Sequence, residues 1–245
     1  MVHGCIHFVH KDRMLHAIVF DMDGVIIDSH AAHRRAWSKF LHNQGRQVSD
    51  GELDYIFDGH KRTDILQHFL GQLSDKQLIS YGKQKDELFR QASPSIKPVP
   101  GVLKFLRHLK RERISTGVAT SASQVRTKAT LDGMALSEYF DAIVTGNDIL
   151  LGKPDPSIYR LCCTRLGIVP KHALAIEDAV SGIQAARSAG LHCIGMISHE
   201  SSEKLRAAGA EQLIHSFQGL SLDTLERLVS QTPGLGVVQQ TESPS

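Results

Sequence analysis

The chain has 245 residues, of which 41% are hydrophobic and 22% are charged. These proportions exclude a disulfide-stapled miniprotein and a wholly disordered chain, and the length suits one large domain or two small ones. Lys and Arg total 28 against 26 for Asp and Glu, so the net charge of +2 leaves no large basic surface. We therefore predict no nucleic-acid partner and no membrane partner.

The sequence carries no signal for export or membrane insertion. It has no run of about 18 apolar residues, and its first residues lack the apolar stretch of a signal peptide. The four cysteines follow no zinc-binding or disulfide spacing, so we interpret them as reduced thiols in a cytoplasmic protein. We expect residues 1–14 to form a flexible leader in which Met14 is a second possible start, and residues 231–245 to form a flexible tail. We expect a monomer or a weak dimer.

Short β-branched segments alternate along the chain with longer amphipathic segments. The apolar patterns predict strands at 15–20, 114–119, 141–145, 173–176, 192–196 and 212–214. They predict helices at about 101–111, 123–133, 155–167, 178–189 and 201–208. This alternation predicts right-handed crossovers and a mostly parallel sheet. The strands are almost continuously apolar, which indicates that helices cover both faces of the sheet.

Residues 29–97 interrupt this alternation. They contain helical patterns near 30–44, 50–57, 62–71 and 75–92 and no convincing strand, and several prolines mark their end. An all-helical segment after the first strand favours a second domain, a cap over a core formed by residues 15–28 and 98–230. The alternative is a helical layer on a single core.

Two carboxylates, Asp21 and Asp23, follow the first predicted strand. Gly24 permits a tight turn after them, so both can lie above the carboxyl edge of the sheet, where open α/β sheets bind ligands. Two acids at this spacing can take separate catalytic roles, one as a nucleophile and the other as a proton donor and acceptor. Taken alone, the motif is more typical of an acidic turn.

Hydroxyl and lysine side chains follow the next two strands. Thr120 and Ser121 come after strand 114–119, where a hydroxyl and backbone N–H groups suit a phosphate oxygen. Taken alone, the motif is more typical of ordinary capping of helix 123–133 by Ser121 or Ser123. Lys153 follows strand 141–145 and can pair with a phosphate or a carboxylate, or be an ordinary surface lysine.

Glu177 and Asp178 follow strand 173–176 as an adjacent acid pair. Their charges repel each other unless a cation lies between them, and hard oxygen ligands favour Mg²⁺. The alternative is that Asp178 caps the helix predicted at 178–189. The four motifs together indicate more than each does alone, because they supply the parts of phosphoryl transfer through an aspartyl-phosphate.

The four motifs resemble those of the haloacid dehalogenase-like hydrolase superfamily, over about residues 15–230. The matching segments are DMDGV at Asp21, VATS at Thr120, GKPDP at Lys153 and IEDAVSGI at Glu177. The paired acids of the fourth motif and the segment DSHAAHRRAW most resemble the β-phosphoglucomutase-like group. The resemblance implies an α/β fold with a Rossmann-like parallel-sheet core and an inserted all-helical cap domain.

The resemblance also implies roles for the motif residues. Asp21 would be the nucleophile and Asp23 the general acid and base. Thr120 and the backbone N–H of Ser121 would bind the phosphoryl group, and Lys153 would pair with Asp21 and with that group.

The implied cofactor is Mg²⁺. Its ligands would be Asp21, the backbone carbonyl of Asp23, and Asp178, with Glu177 binding directly or through water. A cation is needed on physical grounds too, because a carboxylate attacks a phosphate dianion only when their repulsion is offset.

The cap is expected to set specificity. His33 matches the mutase-like pattern and would touch Asp23 or the substrate, or else be a surface histidine, while Trp37 is predicted to pack in the cap. Arg62 matches the arginine that grips the distal phosphate of a sugar bisphosphate, or else is an exposed base. Asp58 stands where we align a lysine of the mutase, and its charge would oppose a second phosphate.

We therefore predict a Mg²⁺-dependent phosphatase of small phosphomonoesters, with sugar phosphates as substrates. The alternative within the group is a β-phosphoglucomutase-like sugar-phosphate mutase. The alternative of another class is a catalytically silent phosphate-binding regulatory protein, against which the complete motif set counts.

Overall fold

A six-stranded parallel sheet lies at the centre of the computed structural model, which describes residues 13–230. In chain order the strands are β1 (Ala17–Phe20), β2 (Ile27–Asp28), β3 (Lys97–Pro98), β4 (Ser115–Ala119), β5 (Ala142–Val144), β6 (Ala173–Glu177), β7 (His192–Met196) and β8 (Gln212–Ile214). The sheet order is β5-β4-β1-β6-β7-β8, and β2 pairs with β3 separately. This arrangement confirms the predicted α/β class.

Central strand β1 consists of four buried apolar residues. It pairs in parallel with β4 and β6, with Phe20 opposite Val118 and Ile176. The next residue on each strand therefore lies at the same carboxyl edge. This register brings Asp21, which donates its backbone N–H to Ile176 over 3.0 Å, beside the residues that end β4 and β6.

Helices cover both faces of the sheet and form the cap. In chain order they are α1 (His30–Asn43), α2 (Asp50–Leu53), α3 (Arg62–Leu70), α4 (Asp75–Ala92), α5 (Val102–Arg111), α6 (Gln124–Gly133), α7 (Ser157–Leu166), α8 (Val180–Ala189), α9 (Ser202–Ala207) and α10 (Leu222–Ser230). One apolar cluster on each face of the sheet buries the inward side chains of the core helices. The first nine helices agree with the predicted positions, and α10 was not predicted.

The cap helices α1 to α4 and the 3₁₀ turn Asp54–Phe57 pack around their own apolar cluster. Trp37 is buried in that cluster, as predicted. Ser49 and Ser74 begin α2 and α4 with reciprocal capping boxes, which satisfy backbone N–H groups that a helix leaves unpaired. The short β2–β3 pair holds the two chain crossings between cap and core side by side.

Two helices begin later than the sequence predicts, at Ser157 and at Val180. The cap position of α8 is Ala179, so Asp178 is not a helix cap and its side chain is available to the site. Arg13 forms an ion pair with Glu112 over 3.6 Å. The remainder of the predicted leader, residues 1–12, and the predicted tail, residues 231–245, lie outside the described residues. Within residues 13–230, no helix combines the length and apolarity needed to cross a membrane.

Candidate active site

Asp21 and Lys153 form a buried ion pair at the carboxyl edge of the sheet. The Lys153 Nζ donates to Asp21 Oδ1 over 2.6 Å and to the Ala119 carbonyl over 3.1 Å, and it also contacts Glu177 Oε1. Lys153 is 2% exposed and Asp21 7% exposed. Burial raises the pKa of Asp21 more than Lys153 lowers it, and the carboxylates of Glu177 and Asp178 raise it further. The pocket floor therefore has an excess of negative charge.

Glu177 is held by four hydrogen bonds. Its Oε1 accepts from Lys153 and, over 2.8 Å, from the Tyr159 hydroxyl. Its Oε2 accepts from the backbone N–H groups of Asp178 and Ala179 over 3.0 and 3.2 Å. The carboxylate packs against Gly182 of α8, where an added Cβ would overlap it. These bonds leave Glu177 poorly placed to bind a metal directly and well placed to orient Lys153.

Asp178 lies beside Asp21 with one carboxylate oxygen surrounded by polar groups. Its Oδ2 accepts from Ser198 Oγ over 2.7 Å, and it lies 3.1 Å from His30 Nε2 and 3.5 Å from His199 Nδ1. Burial disfavours its charge, but these hydrogen bonds and the two imidazoles outweigh burial and lower the pKa of Asp178 to about 2. Asp178 is thus an anion at neutral pH.

The carboxylates of Asp21, Glu177 and Asp178 can place ligand oxygens within 4.8 Å of one another. Three buried carboxylates with one ammonium between them form a donor set of hard oxygens, and this set fits a divalent cation such as Mg²⁺. The residues present therefore fit the predicted metal.

Asp23 faces the cap, and four donor bonds converge on its carboxylate. Oδ1 accepts from Ser29 Oγ over 2.7 Å and lies 3.1 Å from His33 Nε2. Arg126 binds both oxygens, with Nη1–Oδ1 at 3.0 Å and Nη2–Oδ2 at 2.5 Å. Burial raises the pKa of Asp23, but the charge of Arg126 and the hydrogen bonds from Arg126 and His33 outweigh it and hold the pKa well below its usual range.

Sequence reasoning missed Arg126, although one signal was available. Arg126 is the third residue of α6, where the positive end of the helix dipole disfavours a cation. An arginine at such a position favours an anionic partner, and the structure supplies it in Asp23, with the Arg126 side chain 9% exposed. The guanidinium also lies over the Phe89 ring at 4.9 Å.

Lys85 is a second site residue that the sequence did not indicate. It is buried in α4, with its Nζ 3.2 Å from His33 Nδ1 and over the rings of Trp37 and Phe89. Burial and the charge of Arg126 lower the pKa of Lys85 to about 7, and burial and Lys85 lower that of His33 to about 3. The neutral His33 therefore accepts at Nδ1 from Lys85 and donates from Nε2–H to Asp23.

Thr120 and Ser121 lie at the end of β4, as predicted. Thr120 is buried, and its hydroxyl accepts from the Ala122 backbone N–H over 3.2 Å. The hydroxyl of Ser121 donates to the Gly59 carbonyl in the cap over 2.6 Å. Ser123, not Ser121, caps α6. Ser121 therefore bonds the core to the cap.

Of the two cap residues Arg62 and Asp58, only Arg62 lines the pocket. Arg62 lines the pocket and pairs with Asp86 of α4, a residue that the sequence did not indicate. The Asp58 carboxylate instead accepts from the Ser181 backbone N–H over 3.2 Å. The first turn of a helix has unpaired N–H groups and attracts a carboxylate, so Asp58 is directed at α8 and away from the pocket. The acid that lines the pocket beside Arg62 is therefore Asp86, not Asp58.

These residues surround a cleft of about 670 Å³, including its open mouth, between the sheet edge and the cap. The predicted residues that line it are Asp21, Asp23, His33, Arg62, Thr120, Ser121, Glu177 and Asp178. Lys153 lies beneath it, bonded to Asp21.

Comparisons with known proteins agree with this geometry. The sequence profile of the haloacid dehalogenase-like hydrolases matches residues 18–196. The phosphorylated carbohydrates phosphatase of Thermotoga maritima is 32% identical, with 82% of this chain and 94% of that protein covered. The β-phosphoglucomutase of Bacillus subtilis is 29% identical, with 85% and 93% covered. The crystal structure of CbbY from Rhodobacter sphaeroides in complex with phosphate aligns with a TM-score of 0.74 at 29% identity, with 84% of this chain and 96% of that one covered.

Proposed function

Because this chain belongs to the haloacid dehalogenase-like hydrolase family, we propose that it is a phosphatase of small phosphomonoesters, with phosphorylated sugars as its substrate class. The observation that supports the proposal most strongly is the Asp21–Lys153 pair, buried at the foot of a cleft with Asp23 two residues away. A similar protein of Thermotoga maritima carries the name of a carbohydrate phosphatase.

In the proposed reaction, Asp21 is the nucleophile. Its oxygen that is not bonded to Lys153 attacks phosphorus, and the bond from phosphorus to the sugar oxygen breaks. Asp23 gives that oxygen a proton, which it takes up from solvent once Arg126 has left it for the substrate and no longer holds its pKa low. Asp23 then takes a proton from water, and this water attacks phosphorus and releases phosphate and Asp21. Lys153 and Thr120 bind the phosphoryl oxygens throughout.

The proposed cofactor is Mg²⁺. Asp21, Asp178 and the backbone carbonyl of Asp23 would hold it, and Glu177 would act through water because its own oxygens are already bonded. When bound, the ion would offset the repulsion between Asp21 and the phosphate.

The helical segment 29–97 is proposed to close over the substrate as a cap. Polar contacts that join it to the core include Ser121 to the Gly59 carbonyl, Lys61 to the Ile149 carbonyl over 2.8 Å, Asp58 to Ser181, and His30 to Asp178. Ala32, Ala36 and Phe89 of the cap also belong to an apolar cluster of the core, so apolar packing anchors the cap to the core as well.

A sugar-phosphate mutase is the second candidate, and a specific observation favours it. Arg62, Lys85 and Arg126 are three basic side chains that line the cleft and supply positive charge for a second phosphate. Asp86 counts against it, because Arg62 must leave this partner before it can bind a phosphate.

A panel of phosphomonoesters with Mg²⁺, scored by released phosphate and by kcat/KM, tests the phosphatase. Incubation with β-glucose 1-phosphate and a bisphosphate primer tests the mutase: glucose 6-phosphate identifies the mutase, and free phosphate the phosphatase. If neither product forms with any substrate, the remaining candidate is a silent phosphate-binding protein.

A further inference from the structure

Two histidines face the side of Asp178 that carries Ser198. His30 begins α1 in the cap, and His199 lies in the loop after β7 in the core. Their nitrogens are 3.1 and 3.5 Å from Asp178 Oδ2, and the three side chains can place one ligand atom each within 4.8 Å of one another. A segment of the cap and a segment of the core thus meet at one carboxylate oxygen.

The spacing of these atoms is that of ligands around a small ion. Two ligand atoms about 2.1 Å from a tetrahedral zinc ion are separated by about 3.4 Å. The separations from His30 and His199 to Asp178 fall close to this value. Two imidazoles and one carboxylate form a donor set that favours zinc-class ions, whereas Mg²⁺ prefers oxygen ligands alone.

The local packing supports a bound cation. A carboxylate oxygen has about two lone-pair directions, yet Ser198, His30 and His199 all converge on Asp178 Oδ2. A cation between the three ligands would remove this crowding. The Phe57 ring packs against both imidazoles, with centroids 4.9 and 5.2 Å away, and fixes their positions. The side chains of His30 and His199 are 19% and 18% exposed, so an ion can enter.

We propose that His30, His199 and Asp178 form a binding site for a zinc-class divalent cation, with a solvent molecule as the fourth ligand. Asp178 is also a ligand of the proposed Mg²⁺ site, so occupation of one site removes a ligand from the other. Binding at the histidine site does not depend on the proposed phosphatase activity; only the inhibition that follows from it does.

Zinc binding is measured by calorimetry on the full chain, compared with His199→Ala and His30→Ala. We expect each substitution to weaken binding by at least tenfold, and Co²⁺ in the wild type to give the intense visible absorption of a tetrahedral ion, which both variants lose. His215→Ala, an exposed histidine elsewhere, is the control and should bind as the wild type does. Residues 1–12 contain three further histidines, so only the difference between matched variants is counted.

Equal zinc affinity in the wild type and both variants would overturn the proposal, as would a weak octahedral Co²⁺ spectrum in the wild type. Circular dichroism shows whether each variant folds. If His30→Ala does not fold, His199→Ala, which lies in a loop, tests the proposal by itself. If the protein is a phosphatase, Zn²⁺ should inhibit the Mg²⁺-dependent rate less in His199→Ala. Absence of any phosphatase activity leaves the binding measurement valid.

Discussion

Arg126 donates hydrogen bonds to both oxygens of Asp23, so neither oxygen faces a leaving group while this pair persists. A guanidinium binds a phosphate dianion with the same two-bonded geometry that it uses for a carboxylate. We therefore expect an arriving substrate to draw Arg126 away from Asp23. Asp23 would then keep Ser29 and the neutral His33 as its partners.

The nucleophile assignment predicts that Asp21→Asn loses more than nine-tenths of kcat, at least about 1.4 kcal/mol of transition-state stabilisation. The amide keeps the shape of the side chain but is a far poorer nucleophile. Lys153 keeps its pair with Glu177, so the variant should fold. Released phosphate and circular dichroism are measured, with the exposed Asp223→Asn as the control. A variant that retains more than a tenth of kcat contradicts the assignment.

The lowered pKa of Lys85 predicts that the free energy of unfolding depends on pH. Its pKa falls from 10.5 in the unfolded chain to about 7 in the fold, so the unfolded chain binds more protons between these values. The cost of burying the charged amine lowers the free energy of unfolding by its full amount below about pH 7. This cost falls as the pH rises and disappears near pH 10.5. Lys85→Met should therefore stabilise the protein relative to the wild type most at about pH 6 and least at about pH 10. Urea unfolding of the metal-free protein across this range checks the prediction, and a constant difference refutes it.

At the scale of elements, the pattern of apolar residues predicted the six strands of the main sheet and all but one of the α-helices. Each buried strand ends in a polar motif, and the parallel register then places these motifs at one edge. The two-residue strands β2 and β3 are too short for any periodicity, and α10 was not recognised in the last part of the core. Contacts made across long stretches of chain, such as Asp58 with Ser181 and Arg126 with Asp23, depend on tertiary packing that no local pattern encodes.

Helix α8 gives a prediction about glycine. Alanine is favoured over glycine by about 1 kcal/mol in a helix interior, but a Cβ at Gly182 would overlap the Glu177 carboxylate. Gly182→Ala should therefore lower both the melting temperature and kcat, because Glu177 would have to release Lys153 or Tyr159. Gly133→Ala, at the end of α6 with open space around it, is the matched control and should keep both. An unchanged melting temperature and kcat for Gly182→Ala would contradict the prediction, because Glu177 would then be able to move without loss of stability or activity.

At the scale of the whole molecule, the sheet supplies three carboxylates to one buried point, and the Lys153 ammonium between them offsets only part of their repulsion. Mg²⁺ should therefore raise the melting temperature, by a shift that grows with the logarithm of the Mg²⁺ concentration above its Kd. The shift should disappear in Asp178→Asn, which keeps the size of the side chain. Activity should vanish in EDTA and return with Mg²⁺, while Ca²⁺, with its longer bonds, should support it poorly. Full activity in EDTA would exclude the proposed metal.

The choice between phosphatase and mutase depends on how the cap and core share charge across the cleft. A mutase must hold a second phosphate while its bisphosphate intermediate turns over, and Arg62 is the cap residue placed for it, but Asp86 occupies it. Asp86→Asn should therefore lower KM for bisphosphorylated or carboxylated sugars and leave that for neutral-tailed monoesters nearly unchanged, since a closed cleft strengthens charge interactions. Arg62→Ala should have the opposite effect on the same substrates.

Asp58→Asn is the matched control, because that carboxylate is directed at α8 and not at the cleft. The measurement is kcat/KM across pairs of sugar monophosphates and their doubly anionic analogues. If Asp58→Asn changes kcat/KM for the doubly anionic substrates only, and Asp86→Asn does not, the acid that limits binding of a second phosphate is Asp58. If both substitutions change kcat/KM by the same factor for every substrate, neither acid determines specificity. In that case the basic side chains that matter are Lys85 and Arg126, which lie beside His33 and Asp23 at the reacting end of the cleft.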